Sequence, residues 1–174
     1  MYSKLYIYAL ATFVALLMSV SAFGRTANTP ADSSEVADSL VYVPCSLTDS
    51  LLDYADNYLG TRYRSGGKTP KGFDCSGFVY YVFGKFGYKT SPSSSAVRTI
   101  GKEVDKEDAR PGDIIYFTGR NSRSKRPGHV GIITEIKDGT IYFIHASVNL
   151  GISYSTNQTP YYKKRFMGIR RVLD

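Results

Sequence analysis

The stretch Phe73-Asp74-Cys75-Ser76-Gly77-Phe78-Val79-Tyr80-Tyr81-Val82-Phe83 is a loop running into a helix. Asp74 is a good N-cap, and Phe78, Val79, Val82, Phe83 and Phe86 recur with helical period until Gly87 stops the run. This places the thiol of Cys75 in the first helical turn. Backbone N–H groups are unpaired there and the dipole is positive, so thiolate is favoured. The same N–H groups can hold the oxyanion that forms when a carbonyl is attacked. An inert buried cysteine is the plainer alternative.

Working outward, Thr48-Asp49 can cap an earlier helix carrying Leu51, Leu52, Tyr54, Ala55, Tyr58 and Leu59, with Gly60 as its stop. The loop Ser65-Gly66-Gly67 joins it to the Cys75 helix, and Ser91 to Ser95 read as irregular. After Pro111 the texture changes. Ile114–Phe117, Val130–Ile133, Ile141–Ile144, Ile152–Tyr154 and Gly168–Val172 are rich in β-branched and aromatic residues. Helices followed by antiparallel strands predict an α+β fold, with N-terminal helices packed on a sheet of about five to six strands.

A cysteine nucleophile needs a base, usually held by a third polar group. The two histidines, His129 and His145, both fall on one strand–turn–strand unit around Asp138-Gly139. Register decides whether they share a face. A two-residue turn sets His145 opposite Ile132, on the face away from His129. A three-residue loop Lys137-Asp138-Gly139, with Gly139 left-handed, sets it opposite Gly131, diagonal to His129 at about 7–8 Å. Gly131 leaves room for the imidazole, and the three-residue loop is predicted.

Other chemistries draw on the same atoms. Cys45 and Cys75 are the two cysteines, and an oxidising compartment would favour pairing them. With His129 and His145 they could also make four zinc ligands, although no pair has the tight spacing of familiar zinc motifs. Cys45 is read as incidental.

The chain has 174 residues, 43% hydrophobic, and a formal charge of +7. That length suits one modest domain with a terminal extension. Lys4, an apolar run from Leu5 to Val20 and the small residues Ser21-Ala22 and Gly24 make residues 1–24 an expected secretory signal peptide, with an uncleaved anchor as the alternative. Residues 25–45 are expected to be a disordered linker, and 46–174 the working domain. The basic balance permits anionic partners without selecting one.

Four blocks then stand in order: Phe73–Val79; Pro111-Gly112-Asp113-Ile114-Ile115-Tyr116-Phe117; Gly128-His129-Val130-Gly131-Ile132; and Phe143-Ile144-His145-Ala146-Ser147. Together they strongly resemble the NlpC/P60 family of cell-wall cysteine peptidases. Gly60–Gly67, Pro160–Phe166 and Arg170–Leu173 are similar to the Spr-type murein endopeptidases of Gram-negative periplasms. The resemblance implies a papain-like fold with Cys75 as nucleophile, His129 as base and His145 orienting it. It also implies Tyr63 beside the oxyanion, with Asp74 and Ser76 as supporting residues. Hydrolysis of peptidoglycan stem peptides is expected, at a D,D-crosslink or a D-glutamyl–diamino acid bond, the similarity from Arg165 to Leu173 leaning to the former.

The resemblance further implies an exported protein of the periplasm or cell envelope. It is expected to be monomeric, with no metal, cofactor or nucleic-acid partner and no stable membrane insertion once the signal is cleaved. A catalytically silent wall-binding module and an acyltransferase or amidase on the same fold are the alternatives. Two departures stand out. The chain lacks a lipidation cysteine after its apolar run, and Pro92-Ser93-Ser94-Ser95 replaces the family's Pro-Arg-Ser-Thr, so that wall of the groove is expected to differ. The basic loop Arg120–Arg126 leads to His129 and is open to substrate carboxylates, to anionic glycopolymer or to solvent alone.

Overall fold

The computed structural model describes residues 46–173. The predicted signal peptide and linker, and Cys45 with its possible pairing, lie outside the described residues. Helix α1 spans Leu47–Asp56 and α2 spans Cys75–Lys85. Between them lies a two-residue by two-residue hairpin, β1 (Lys68–Thr69) and β2 (Gly72–Phe73). There follow β3 (Lys102–Val104), β4 (Ile114–Thr118), β5 (Pro127–Lys137), β6 (Thr140–Ser147), β7 (Gly151–Thr156), the short α3 (Pro160–Lys163) and β8 (Phe166–Arg171). The main sheet is antiparallel in the order β3-β8-β4-β5-β6-β7. The fold is α+β with a six-stranded main sheet; five of its strands follow Pro111, as the change of texture predicts, and β3 precedes it.

Two differences concern helices. The first begins at an earlier cap than predicted: the Ser46 hydroxyl accepts from Asp49 N–H at 3.0 Å, and the Asp49 carboxylate accepts from Ser46 N–H at 3.1 Å. This reciprocal box satisfies two orphan donors at once, which the Thr48 cap cannot do. The helix also stops at Asp56, short of Gly60. A 3₁₀ helix over Ser94–Thr99 begins inside the stretch Ser91 to Ser95 read as irregular and runs past it.

The sheet is buried on both sides, which is why β4 carries no polar alternation. Ile114 and Tyr116 face the core shared with Leu51, Ala55, Phe78, Val82 and Phe83 of the two helices. Ile115 and Phe117 face a second core with Ile133, Ile141, Phe143 and Ile169. Along β5 the same alternation sends Val130 and Ile132 toward the helices and leaves Gly131 and His129 on the other face.

The β5–β6 hairpin confirms the shared face of the histidines but not the reason given for it. Lys137 pairs with Thr140, so the turn has two residues, Asp138 and Gly139, with φ of 50° and 72°. That is the primed turn favoured by Asp-Gly. The extra residue is Thr134. Ile136 pairs with Ile141 and Glu135 with Tyr142, whereas Ile133 pairs with Phe143 and Ile132 with Ile144. The bulge lies where β5 runs past the first residue of β4, and it slips the register by one. Continuing that register brings His145 opposite Gly131. A β-carbon on Gly131 would lie 3.2 Å from that of His145 and 2.8 Å from the Phe143 ring, so glycine is required there.

Candidate active site

A cleft of about 440 Å³ is lined by Tyr63, Cys75, Arg120, His129, Val148 and Tyr161, among others. The N-terminus of α2, the start of β5, the β6–β7 turn and α3 each contribute to it. The sequence-predicted Tyr63, Cys75 and His129 therefore meet in one place.

Cys75 is the first residue of α2, and Asp74 is its N-cap. Asp74 Oδ1 accepts from Gly77 N–H at 2.6 Å, while Oδ2 accepts from Gly66 N–H at 2.9 Å. One carboxylate thus closes the helix end and ties down the Gly66-Gly67 loop that precedes it. The Ser76 hydroxyl lies 3.1 Å from Asp74 Oδ1 and 3.0 Å from the Pro92 carbonyl. Asp74 and Ser76 do not line the cleft; they hold the segment that presents Cys75. Asp74→Ala is expected to cost about 1–2 kcal/mol, the loss of an N-cap, in denaturant unfolding. Residues 92–95 also stay off the cleft wall, so the departure from the family pattern expected to reshape the groove falls outside it.

Cys75 is buried, 8% exposed as a residue. Burial pushes its pKa up, and the N–H groups of Val130, Ser76 and Cys75 itself pull in the opposite direction without winning. The thiolate favoured by the helix end is therefore opposed, in the empty cleft, by loss of water around the sulfur. Burial likewise lowers the pKa of His129 to about 3, with the neighbouring His145 adding to the shift, and that of His145 to about 4. The resting pair is a neutral thiol and a neutral imidazole.

A line of hydrogen bonds runs behind His129. Its Nε2 is 3.0 Å from His145 Nδ1, and the rings meet edge-on. His145 Nε2 lies 3.0 Å from the Ser155 hydroxyl and 3.3 Å from that of Tyr162. Two sets of tautomers satisfy the line, and one of them leaves a proton acceptor in the cleft. In that set His129 Nε2–H donates to His145 Nδ1, and His145 Nε2–H donates to Ser155. His129 Nδ1 is left as the free acceptor for a proton from the cleft. Tyr162 also stacks on His129, with centroids 5.8 Å apart and planes 26° off parallel, which fixes the ring. Its own hydroxyl is pushed up to about 12 by burial and stays protonated. The pKa of Tyr63 is raised too, first by burial and then by Cys75 and Asp74, so its hydroxyl remains a donor.

Ser155 and Tyr162 were missed from sequence. Ser155 follows from strand alternation once Ser153 is known to pair with His145, because positions two apart share a face. Tyr162 lies in the Pro160–Phe166 motif, but only the placement of α3 shows which of its aromatics reaches the histidines. Among the described residues no group of three His, Cys, Asp or Glu side chains is disposed to hold a metal.

The profile of the NlpC/P60 family matches residues 60–171. Over 126 residues the chain is 39% identical to murein DD-endopeptidase MepS/murein LD-carboxypeptidase of Escherichia coli K12, covering 71% of this chain and 62% of that protein. It thus spans about three fifths of that relative's length. It is 31% identical over 144 residues to the probable endopeptidase NlpC of the same organism, covering 82% and 86%. Among solved structures, an NlpC/P60 family protein from Bacillus cereus superposes with a TM-score of 0.65 at 29% identity, over 76% of this chain and 42% of that one. With four motif blocks, one fold and a profile running through nearly all the described residues, the chain belongs to the NlpC/P60 family.

Proposed function

We propose that the chain is a cysteine peptidase that hydrolyses stem-peptide bonds of bacterial peptidoglycan, acting outside the cytoplasm. The observation that carries this reading is the single cleft where Cys75, at the start of α2, meets His129 backed by His145. The relatives' activities, a murein DD-endopeptidase and a probable endopeptidase among them, support the substrate class. Among the described residues no helix is long and apolar enough to cross a membrane.

In this mechanism the thiol proton moves from Cys75 Sγ to His129 Nδ1 as sulfur attacks the peptide carbonyl. Transfer accompanies attack because burial disfavours the separated ion pair beforehand. The helix-end N–H groups and the Tyr63 hydroxyl receive the developing oxyanion. Imidazolium at His129 is steadied by His145, which Ser155 and Tyr162 keep in register. His129 then gives its proton to the leaving amine, and afterwards draws one from water as the thioester is hydrolysed.

Digestion of purified peptidoglycan, with products resolved by mass spectrometry, tests the reading. Crosslinked dimers are expected to fall to intact monomer stems, as a D,D-endopeptidase requires; truncated stems would assign the D-glutamyl bond instead. The Cys75→Ala protein should release nothing. If it releases the same products as the unaltered protein, the mechanism is wrong, and transfer of the acyl group to an added amine in preference to water would make the chain a transferase.

A further inference from the structure

Beside the cleft lies a second groove of about 440 Å³, lined by Arg98, Thr118, Ser122, Ser124, Lys125 and Lys164, with Phe166 and Met167 also on its walls. Arg98, Lys125 and Lys164 are exposed. Among the described residues no acid lines the groove, and none occurs in the sequence from Ile114 to Thr134 or from Asn157 to Leu173, which supply all of these lining residues but Arg98. Among the described residues the ion pairs are Arg170–Glu103 and Arg171–Asp113, and neither uses a groove residue. Three cations on one concavity repel one another unless an anion sits between them. Thr118 adds a second observation: it is 5% exposed, and its hydroxyl has no hydrogen-bond partner among the described residues. A buried hydroxyl left unpaired costs free energy until a ligand or water meets it.

The groove is built, not incidental to a loose loop. The Arg165 guanidinium donates from Nε to the Gly119 carbonyl, from Nη2 to that of Arg120 and from Nη1 to that of Tyr161, at 3.1–3.2 Å, and stacks 3.8 Å from the Tyr161 ring. This clamp fixes the base of the basic loop. Gly119 and Arg120 then face the cleft, whereas Ser122, Ser124 and Lys125 face the groove. The chain leaving α3 divides the same way, with Tyr161 and Tyr162 on the cleft and Lys164 on the groove.

We propose that this groove binds phosphate groups of an anionic envelope polymer, anchoring it beside the cleft. Ammonium point charges with hydroxyl donors suit a tetrahedral anion whose acceptor oxygens point several ways, and the Arg98 guanidinium adds a fork that phosphate also accepts. A polymer can occupy repeated contacts along a shared wall, so its affinity exceeds that of a single phosphate. The assignment to an envelope polymer rests on the proposed action outside the cytoplasm, and not on the hydrolytic chemistry of the cleft.

Amide spectra of the ¹⁵N-labelled protein test it, with inorganic phosphate, polyphosphate and poly-glutamate of matched charge as probes. Both phosphate probes should shift residues 122–125 and 164–167 saturably, polyphosphate at least about tenfold more tightly, with the affinity falling as salt rises. Lys125→Glu with Lys164→Glu should weaken polyphosphate at least about tenfold, the loss expected when two exposed charges that attract a polyanion become repulsive, with the melting transition unchanged. Phosphate binding alone, with no gain for the chain, would overturn the polymer. Poly-glutamate binding as tightly as polyphosphate would overturn the phosphate. Unsaturable shifts scattered over the lysines, or full binding by the double variant, would overturn the site.

Discussion

Replacing His129 by alanine is expected to lower kcat on peptidoglycan by roughly 10⁴-fold or more, with the fold intact by circular dichroism. The loss is large because His129 moves a proton in each half of the reaction. With the thiol pushed up by burial, no standing thiolate is available to replace it. The acid limb of kcat/KM carries the same information. A buried imidazole with its pKa lowered to about 3 remains a base well below the ordinary histidine value of 6.5. Activity is therefore expected to hold as pH falls through 6.5 and to decline only toward pH 3–4; a limb centred near 6.5 would contradict the neutral resting pair.

Stability follows the same sign. His129 and His145 titrate lower in the folded chain than when unfolded, so below pH 6.5 the unfolded state binds more protons. Their contribution is complete above pH 6.5 and is lost as pH falls toward 3–4. The acid side of an activity profile must then be read against a melting curve at each pH.

The second large effect is structural. Arg171→Ala is expected to cost about 3–5 kcal/mol, lowering the melting temperature by roughly 10–20 °C. The guanidinium donates from Nε and Nη2 to the two oxygens of Asp113, both at 2.8 Å, and from Nη2 to the Asp108 carbonyl. The Asp113 side chain is 3% exposed, so removing Arg171 strands a carboxylate out of water. Arg170–Glu103 is the control. That pair is 3.5 Å apart with Glu103 75% exposed, and Glu103→Gln should cost less than about 1 kcal/mol. Equal losses from the two variants would mean that burial is not what gives the Asp113 pair its weight.

Much of this chain is legible residue by residue. The N-cap aspartate and the period of Phe78, Val79, Val82 and Phe83 place Cys75 at a helix start, because capping and amphipathic period are local properties. The strand run from Ile114 onward is equally plain. The edge strand Lys102–Val104 is not, since its three residues are mostly charged and exposed and it exists only through pairing with β8. The short hairpin at Lys68–Phe73 is lost for a like reason: two-residue strands carry no periodicity.

Register marks the boundary. The sequence by itself determined that His129 and His145 flank one hairpin, that Asp138-Gly139 turns it, and that glycine at position 131 can face an imidazole. Tertiary structure decided that the turn takes two residues and that Thr134 absorbs the extra one, because a bulge forms where β5 outruns β4, not where local turn chemistry asks for it. It alone brought Ser155 and Tyr162 behind His145, since a hydrogen-bonded line across β5, β6, β7 and α3 depends on how four elements pack. It also reversed the balance at Cys75. A helix N-terminus favours thiolate by local electrostatics, but the loss of water around a buried sulfur is a property of the whole fold.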